Sequence, residues 1–243
     1  MHQNRAQTNK IKPMQKGHTI PVLDHGYVRY IDHLGTDMRV VEAARISYQS
    51  PSKGEEADKK LLHHLYKNKH TSPFEMLKIT LNIKLPIFVM RQYVRHRMQN
   101  LNEVSARYTE LPEEFYVPTK WRKQDKKNKQ GSVEEDFGLD EQYMTQALTD
   151  HYSRSYSLYQ GLIQSGVARE LARIVLPVAI YTEIYACWDM KNLLHFITLR
   201  DDSHAQAEIQ EYSRAITSIC KELFPWTMEA YEKYKFVLGT GFN

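Results

Sequence analysis

Residues Leu77–Leu85, which read LKITLNIKL, decide most about the fold. Leucine or isoleucine occupies every odd position of this stretch, and lysine, threonine or asparagine occupies every even position. Because successive side chains of a β-strand point to opposite faces, this alternation predicts a strand with one buried face and one face in water. Pro86 follows directly and suits the first turn of a helix, which we expect to run through Arg95.

The patterns on either side of this strand predict a domain in which strands and helices are mixed. Ser203–Gln206 has the form of a capping box and predicts a long helix that Pro225 stops. Strands and helices do not alternate regularly, so the sequence predicts an α+β fold, a mixed sheet packed with helices. The other predicted strands are residues 26–34 and 178–188. A turn at residues 35–37 is followed by a predicted helix that ends at Ala44. The other predicted helices are residues 57–67, 140–164 and 192–199.

The length of 243 residues fits one sizeable domain or two small ones, and 42% hydrophobic with 26% charged residues is typical of a soluble protein. We expect residues 1–22 to be a flexible arm and residues 23–243 to form the domain. No apolar run resembles a signal sequence or a membrane span, so no membrane partner is expected. Cys187 and Cys220 form no CxxC pair, which disfavours a disulfide framework or a zinc site and favours the cytoplasm.

The lysine-rich segment Lys120–Gln130 and the pair His63 and His70 could suggest a nucleic-acid site and a metal site, but neither is expected. The net charge of +4 suits an anionic ligand, and Lys120–Gln130 is rich in lysine but lacks apolar periodicity. We interpret that segment as a solvated surface loop rather than a nucleic-acid-binding patch, and expect no nucleic-acid partner. His63 and His70 lack a third ligand at a suitable spacing, so no metal site is expected.

Arg91–Tyr108, which reads RQYVRHRMQNLNEVSARY, concentrates groups that suit a nucleotide. Its cations could simply complement the dipole at a helix C-terminus. However, guanidinium groups, the Ser105 hydroxyl and loop N–H groups are also what a phosphate monoester needs, because arginine bonds phosphate oxygens bidentately. Glu103 would repel a phosphate, so we expect it to face a sugar hydroxyl or to orient an arginine.

The same stretch resembles the signature of flavin-dependent thymidylate synthases, in which RHR is followed by seven residues and a serine. Here the motif is Arg95-His96-Arg97 followed by Ser105. The resemblance covers about residues 24–233 and leaves the arm and the basic loop outside it. Other segments that resemble the family, in the same order, are ARIS at 44–47, HTSPFE at 70–75, LPIFVMRQ at 85–92, ARELARIVLP at 168–177 and LRDDSHAQ at 199–206.

The resemblance implies an enzyme that methylates dUMP to dTMP. The carbon donor would be 5,10-methylenetetrahydrofolate, and hydride would be delivered through FAD that NADPH reduces. It also implies a homotetramer with active sites shared between subunits. Two alternatives remain at this stage: a nucleotide-binding NADPH flavoreductase without methyl transfer, and a basic RNA-binding module.

The resemblance also assigns residues to roles. Asn100 stands where many members have serine, and Asp189 stands where we expect asparagine; a carboxylate there would repel flavin phosphates. Arg200 corresponds to the arginine that polarises the uracil ring. The implied flavin contacts are Ser47, His70, Ser72, Arg95, His96, Arg97, Glu103, Asp189 and His195. The implied dUMP contacts are Gln92, Arg95, Glu103, Ser105, Ala106, Arg107, Arg173 and Arg200.

The cysteines bear on the mechanism. Both Cys187 and Cys220 lie among apolar residues and are expected to be buried small hydrophobic side chains rather than activated thiolates. Without a thiol nucleophile, the uracil ring must be activated electrostatically, and that role falls to Arg200. No base is assigned to Ser105, so we interpret it as a phosphate ligand.

Overall fold

A five-stranded sheet forms the centre of the computed structural model, which describes residues 14–135, 137–138 and 140–238. The strands are β1 (Thr19–Val22), β2 (Gly26–Leu34), β3 (Lys78–Pro86), β4 (Gln99–Glu103), β5 (Lys123–Gln124), β6 (Ser132–Val133) and β7 (Tyr181–Asp189). The order in the main sheet is β1-β2-β3-β7-β4, and β5 and β6 form a separate pair. The α+β class is confirmed, and within it every pair of neighbouring strands is antiparallel, so the sheet is not mixed.

Helices cover one face of the sheet and build two hydrophobic cores. The larger core packs the sheet against helices from both halves of the chain, and the smaller one lies under the long helix α4. The helices are α1 (Asp37–Arg45), α2 (Glu55–Lys67), α3 (Ile87–Tyr93), α4 (Asp140–Gln164), α5 (Arg169–Ala172), α6 (Met190–Arg200), α7 (Ala207–Leu223) and α8 (Pro225–Leu238). Short 3₁₀ turns occupy Ile46–Tyr48, Ser72–Met76 and Arg173–Val175. No described helix is long and apolar enough to cross a membrane.

The alternating stretch forms the central strand, as predicted, and its leucines and isoleucines are buried. The polar face differs from the prediction because it is partly covered. Asn82 is buried there, where it accepts a hydrogen bond from the Tyr27 hydroxyl at 3.2 Å and donates one to Glu183 at 2.8 Å. Both partners come from the neighbouring strands β2 and β7. Side chains of these strands therefore cover Asn82 on the polar face of the central strand.

The predicted start of the long helix α7 is wrong, whereas its predicted end before Pro225 is confirmed. Gln206, not Ser203, is the N-cap of α7, and it makes no side-chain capping hydrogen bond. The predicted capping box instead begins within a turn, in which Asp202 accepts a hydrogen bond from the backbone N–H of His204 at 2.8 Å. At the other end, α7 stops at Leu223 as predicted, and Pro225 in addition begins α8, because proline also fits the first turn of a helix.

The arm and the basic loop contain more structure than predicted. Residues 1–13 lie outside the described residues, but Thr19–Val22 pairs with β2 as an edge strand and therefore belongs to the sheet. The basic loop contains β5, which pairs with β6 to form a hairpin. Arg122 anchors the hairpin through an ion pair with buried Glu208 at 2.6 Å. The lysines therefore project from an ordered hairpin rather than from an irregular loop.

Asp37 caps helix α8 from a distant part of the chain. Its buried carboxylate accepts hydrogen bonds from the backbone N–H groups of Trp226 at 2.8 Å and Thr227 at 3.1 Å, and from the Thr227 hydroxyl at 2.6 Å. The backbone donors have no partner inside the helix, so the carboxylate satisfies groups that burial would otherwise leave unpaired.

We expect Asp37→Ala to lower the free energy of unfolding by about 2–3 kcal/mol, because it leaves buried donors without an acceptor. Chemical denaturation of the purified variant measures this loss. Glu42→Ala is the matched control, since Glu42 is an exposed acid on the same helix and its removal should change stability by less than about 0.5 kcal/mol. Equal losses in the two variants would contradict the capping role.

Candidate active site

The RHR motif lies in a reversal between α3 and β4, not on the helix that the sequence predicts through Arg95. Helix α3 ends at Tyr93, and the backbone N–H of His96 donates to the Tyr93 carbonyl at 3.2 Å. The chain then enters β4, where Gln99 pairs with Trp188 of β7. The reversal leaves Arg95 exposed and turns His96 inward.

A cavity of about 480 Å³ opens beside this reversal. Its lining includes buried Trp188, whose indole N–H donates to the Tyr93 hydroxyl at 2.7 Å. Within the described part of the chain, the side chains of Arg95 and Arg97 make no hydrogen bond or ion pair. Two uncompensated guanidinium groups beside an aromatic floor suit a ligand with both anionic and aromatic parts. The lining residues are Arg95, His96, Arg97, Met98, Trp188, Asn192 and His195.

Arg200 is held by residues of the α3–β4 reversal. Its Nε donates to Nε2 of His96 at 3.0 Å, and its Nη2 donates to the backbone carbonyl of Gln92 at 3.5 Å. Because Nε2 of His96 accepts, the imidazole is neutral and carries its hydrogen on Nδ1. Burial, with smaller contributions from Arg200 and His195, lowers the pKa of His96 to about 4. Burial also lowers the pKa of the Arg200 guanidinium.

This pair predicts a pH dependence of stability. The pKa of His96 is about 4 in the folded chain and 6.5 in the absence of perturbation. Between these values the unfolded state binds more protons, so the contribution of His96 is complete above about pH 6.5 and is lost as pH falls towards about 4. We expect the free energy of unfolding to fall more in the wild type than in His96→Gln, which does not titrate, between about pH 7 and about pH 4.5. Parallel losses, measured by urea denaturation, would contradict the assignment.

The start of α7 also reaches this site. The side chain of Gln92, a predicted dUMP contact, is hydrogen-bonded to the side chain of Gln206. Gln206, Met98, Trp188 and Asn192 were not assigned roles from the sequence. The signal was present for Gln206, which closes the LRDDSHAQ segment, whereas Trp188 is indistinguishable in sequence from a core residue of an apolar strand.

Asp189 contacts the site through a neighbour. Its carboxylate caps α6, accepting from the backbone N–H of Asn192 at 3.0 Å and from the Asn192 side-chain amide at 2.8 Å. Asn192 lines the cavity and Asp189 does not. Asp189, in place of the expected asparagine, therefore fixes the position of Asn192, which lines the cavity. The two hydrogen bonds from Asn192 stabilise the negative charge of the carboxylate.

The other predicted flavin contacts lie outside the cavity lining. Ser47 is exposed on a 3₁₀ turn whose base is held by an ion pair between Arg45 and buried Asp58 at 2.5 Å. His70 precedes the second 3₁₀ turn and Ser72 begins it, and a Glu75–Lys191 ion pair of 2.6 Å connects this turn to α6.

Glu103, at the end of β4, accepts a hydrogen bond from the hydroxyl of buried Thr182 at 2.6 Å. It does not line the cavity either. The contact fixes the carboxylate against β7, the neighbouring strand of the sheet. One oxygen of Glu103 is thus used within the fold, and the side chain is otherwise exposed.

The predicted phosphate ligands form a separate group. After β4, the chain turns at Ser105, whose hydroxyl accepts from the backbone N–H of Arg107 at 3.3 Å. Ala106 is buried in the smaller core, and Arg107 pairs with Glu170 of α5 at 3.3 Å. Arg173 follows α5 on a 3₁₀ turn, exposed and without a side-chain partner among the described residues.

The structure thus divides the predicted site into two groups. Residues around Arg200 rest on the larger core, and residues around Arg107 rest against the smaller one. Within the described ranges, no hydrogen bond or ion pair joins the two groups. The segments that carry the second group also expose large apolar side chains: Tyr108, Leu171, Ile174 and Val178.

Comparison with known proteins decides the family. A family model described as thymidylate synthase complementing protein matches residues 29–226, a range that contains every predicted site residue. A flavin-dependent thymidylate synthase of Thermus thermophilus is 47% identical over 216 residues, which are 89% of this chain and 79% of that protein. The chain belongs to the flavin-dependent thymidylate synthase family. The family member from Thermosipho melanesiensis is 45% identical and covers 88% of this chain and 94% of its own.

Solved structures support the same family. The UMP/dUMP methylase PolB of Streptomyces cacaoi, bound with 5-Br dUMP, superposes with a TM-score of 0.79 at 32% identity. The match covers 88% of this chain and 98% of that one. The same protein bound with 5-Br UMP gives a TM-score of 0.78 at 33% identity. The resemblance found in the sequence is confirmed, and the fold is that of flavin-dependent thymidylate synthases.

Proposed function

We propose that this protein methylates dUMP to dTMP, with 5,10-methylenetetrahydrofolate as carbon donor and NADPH as reductant through FAD. The observation that carries the proposal is the Arg200–His96 pair, 3.0 Å apart beside a cavity with two unpartnered arginines in the described part of the chain. Such a pair supplies a positioned positive charge for a developing anion. The family of the chain and the dUMP analogue bound to its structural relative support the same reaction.

The residues at the cavity fit a flavin nucleotide. Arg95 and Arg97 can bond phosphates, and Trp188 offers an aromatic surface. Beside the cavity, Oε1 of Gln99 is buried without a hydrogen-bond partner among the described residues, although its amide nitrogen donates to the His96 carbonyl at 2.8 Å. A buried unsatisfied acceptor indicates a site where a ligand supplies the missing donor. The residues that would hold FAD are Ser47, His70, Ser72, Arg95, His96, Arg97, Glu103 and His195, with Asp189 acting through Asn192.

FAD, when bound, supplies the hydride that reduces the transferred carbon to a methyl group. The chain itself must make C5 of uracil nucleophilic. Cys220 is fully buried, which raises its pKa to about 12, and so it offers no thiolate. Cys187 is half-buried on β7 and was expected to be buried. Arg200, placed against the N3–O2 edge of uracil, would stabilise the anion that develops as C5 attacks the methylene carbon.

The phosphate of dUMP would bind Ser105, Arg107 and Arg173, with Gln92, Glu103 and Ala106 contacting the nucleoside. The Arg107 group and the Arg200 group rest on different cores, an arrangement that would suit a site completed by two copies of the chain. The exposed apolar side chains on the segments of the Arg107 group would contribute to the interface with a second copy. We therefore propose a homotetramer with shared active sites, working in the cytoplasm, where its free cysteines would stay reduced.

Incubating the FAD-loaded protein with dUMP, methylenetetrahydrofolate and NADPH tests the reaction. We expect dTMP in the products by mass spectrometry. NADPH oxidation without dTMP would instead indicate a flavoreductase. A protein that retains no FAD and binds RNA with steep salt dependence would indicate the RNA-binding alternative.

A further inference from the structure

A second cavity, of about 440 Å³, lies between α2 and α8 and contains none of the residues assigned to the active site. The α2 residues that line it occur at positions 56, 59, 60, 63, 64 and 67, a spacing that places them on one face of the helix. At about 1.5 Å per residue, this face extends over roughly 16 Å. The cavity is therefore an elongated groove, which we call the α2–α8 groove.

The α2–α8 groove carries a surplus of positive charge. Four lysines line it against two glutamates, and Lys59 pairs with Glu229 at 2.5 Å. Lys60 pairs with Glu56 at 2.7 Å, one turn away on the same helix. The remaining two, Lys67 and Lys233, make no ion pair with any residue in the described ranges.

A partly buried histidine in the groove also lacks a hydrogen-bond partner within the described residues. The side chain of His63 is 12% exposed, and its Nε2 is buried without a hydrogen bond. The nearest acidic oxygen, on Glu229, is 3.7 Å away, too far for one. Buried polar atoms are normally satisfied, so a polar ligand in the groove would supply what the fold does not.

The groove ends next to the proposed flavin site. The rings of His64 and His70 meet edge to face, with centroids 6.2 Å apart. His70 is a predicted flavin contact, and the chain passes from it directly to Ser72. The end of the groove nearest to this contact is also the end that carries the unpaired Lys67.

We propose that the α2–α8 groove binds the glutamate tail of the folate co-substrate, and binds it more tightly when the tail carries several glutamates. This inference rests on the proposed function, which places the reactive end of the folate at the flavin. A γ-linked glutamate tail is a flexible chain with a carboxylate on each unit. A row of lysines along one helix face matches such a chain, whereas a single phosphate requires donors that converge on one point.

Calorimetric titration of the FAD-loaded protein with mono- and pentaglutamyl folic acid tests the inference without requiring turnover. We expect the wild type to bind the pentaglutamate about three- to ten-fold more tightly, as two exposed charge contacts allow, and the advantage to shrink with added salt. The double variant Lys67→Glu/Lys233→Glu should lose this advantage and keep its monoglutamate affinity.

Lys127→Glu, an exposed lysine of the β5–β6 hairpin, is the matched control and should keep the full advantage. Thermal unfolding and FAD content establish that the double variant is folded. Equal affinity for the two folates in the wild type, or an undiminished advantage in the folded double variant, would overturn the inference. Production of dTMP by the same preparations is a separate readout that bears on the proposed function alone.

Discussion

Replacing Arg200 with alanine should lower the rate of dTMP formation by about 10²–10³-fold while FAD stays bound. The guanidinium is the group that we assign to the developing uracil anion, and two acceptors, His96 and the Gln92 carbonyl, fix its orientation. A preorganised charge of this kind acts mainly on the transition state, so the loss should fall on kcat rather than on flavin binding. Flavin absorbance and single-turnover kinetics separate the two effects.

Two further variants sharpen this test. Arg200→Lys keeps the charge but loses the planar fork and the Nε donor, so it should recover only part of the rate. Arg214→Ala is the matched control, because this arginine pairs with Asp201 and Glu211 on the surface. We expect it to react at the wild-type rate. Wild-type turnover in Arg200→Ala would remove the arginine from the mechanism.

Replacing Arg107 with alanine should weaken dUMP binding by about 10–100-fold, the effect of losing a charge-assisted hydrogen bond to phosphate. In the isolated chain this arginine forms an ion pair with Glu170, and both side chains are about half exposed, at 55%. Breaking such a pair changes stability little, so the variant should fold normally. Titration of dUMP into the FAD-loaded protein measures the change.

Arg169→Ala is the control for this variant. Arg169 lies on α5, next to Glu170, and makes an equivalent exposed pair with Glu110 at 3.4 Å, but no role in binding is assigned to it. We expect its dUMP affinity to match that of the wild type. An equal loss in both variants would indicate a general electrostatic effect of this surface, and no loss in Arg107→Ala would refute the phosphate assignment.

The parts of the fold that follow local periodicity could be predicted from the sequence. The alternation in Leu77–Leu85 identifies the central strand, and the tyrosines at helical spacing on α4 identify its buried side, where Tyr152 and Tyr159 lie. Both signals arise because burial on one face of a regular element imposes its period on the chain. The family motif likewise predicted the segment that surrounds the cavity.

Elements stabilised by distant partners could not be predicted. Strand β4 is short and polar, and it exists because it pairs with β7 from the other half of the chain. The start of α8 depends on Asp37, far away in sequence, and the end of α3 on the reversal that directs His96 towards α6. Local propensity contains no information about any of these contacts.

The arrangement of the candidate site also could not be predicted from local sequence. Sequence motifs predict residues for the nucleotide and flavin sites, but they do not show that Arg107 and Arg200 rest on different cores. Nor do they show that Arg200 depends on a neutral histidine, since the low pKa of His96 follows from burial beside two other basic groups. These are properties of packing, which appear only once the chain is folded.

The proposed reaction is tested most directly by tracing the transferred carbon atom. We would incubate the FAD-loaded protein with dUMP, NADPH and methylenetetrahydrofolate that carries carbon-13 in its methylene group. Mass spectrometry then measures the mass of the nucleotide product. We expect dTMP that carries the label in its methyl group. Unlabelled dTMP, or unchanged dUMP with bound FAD and oxidised NADPH, would contradict the proposed reaction.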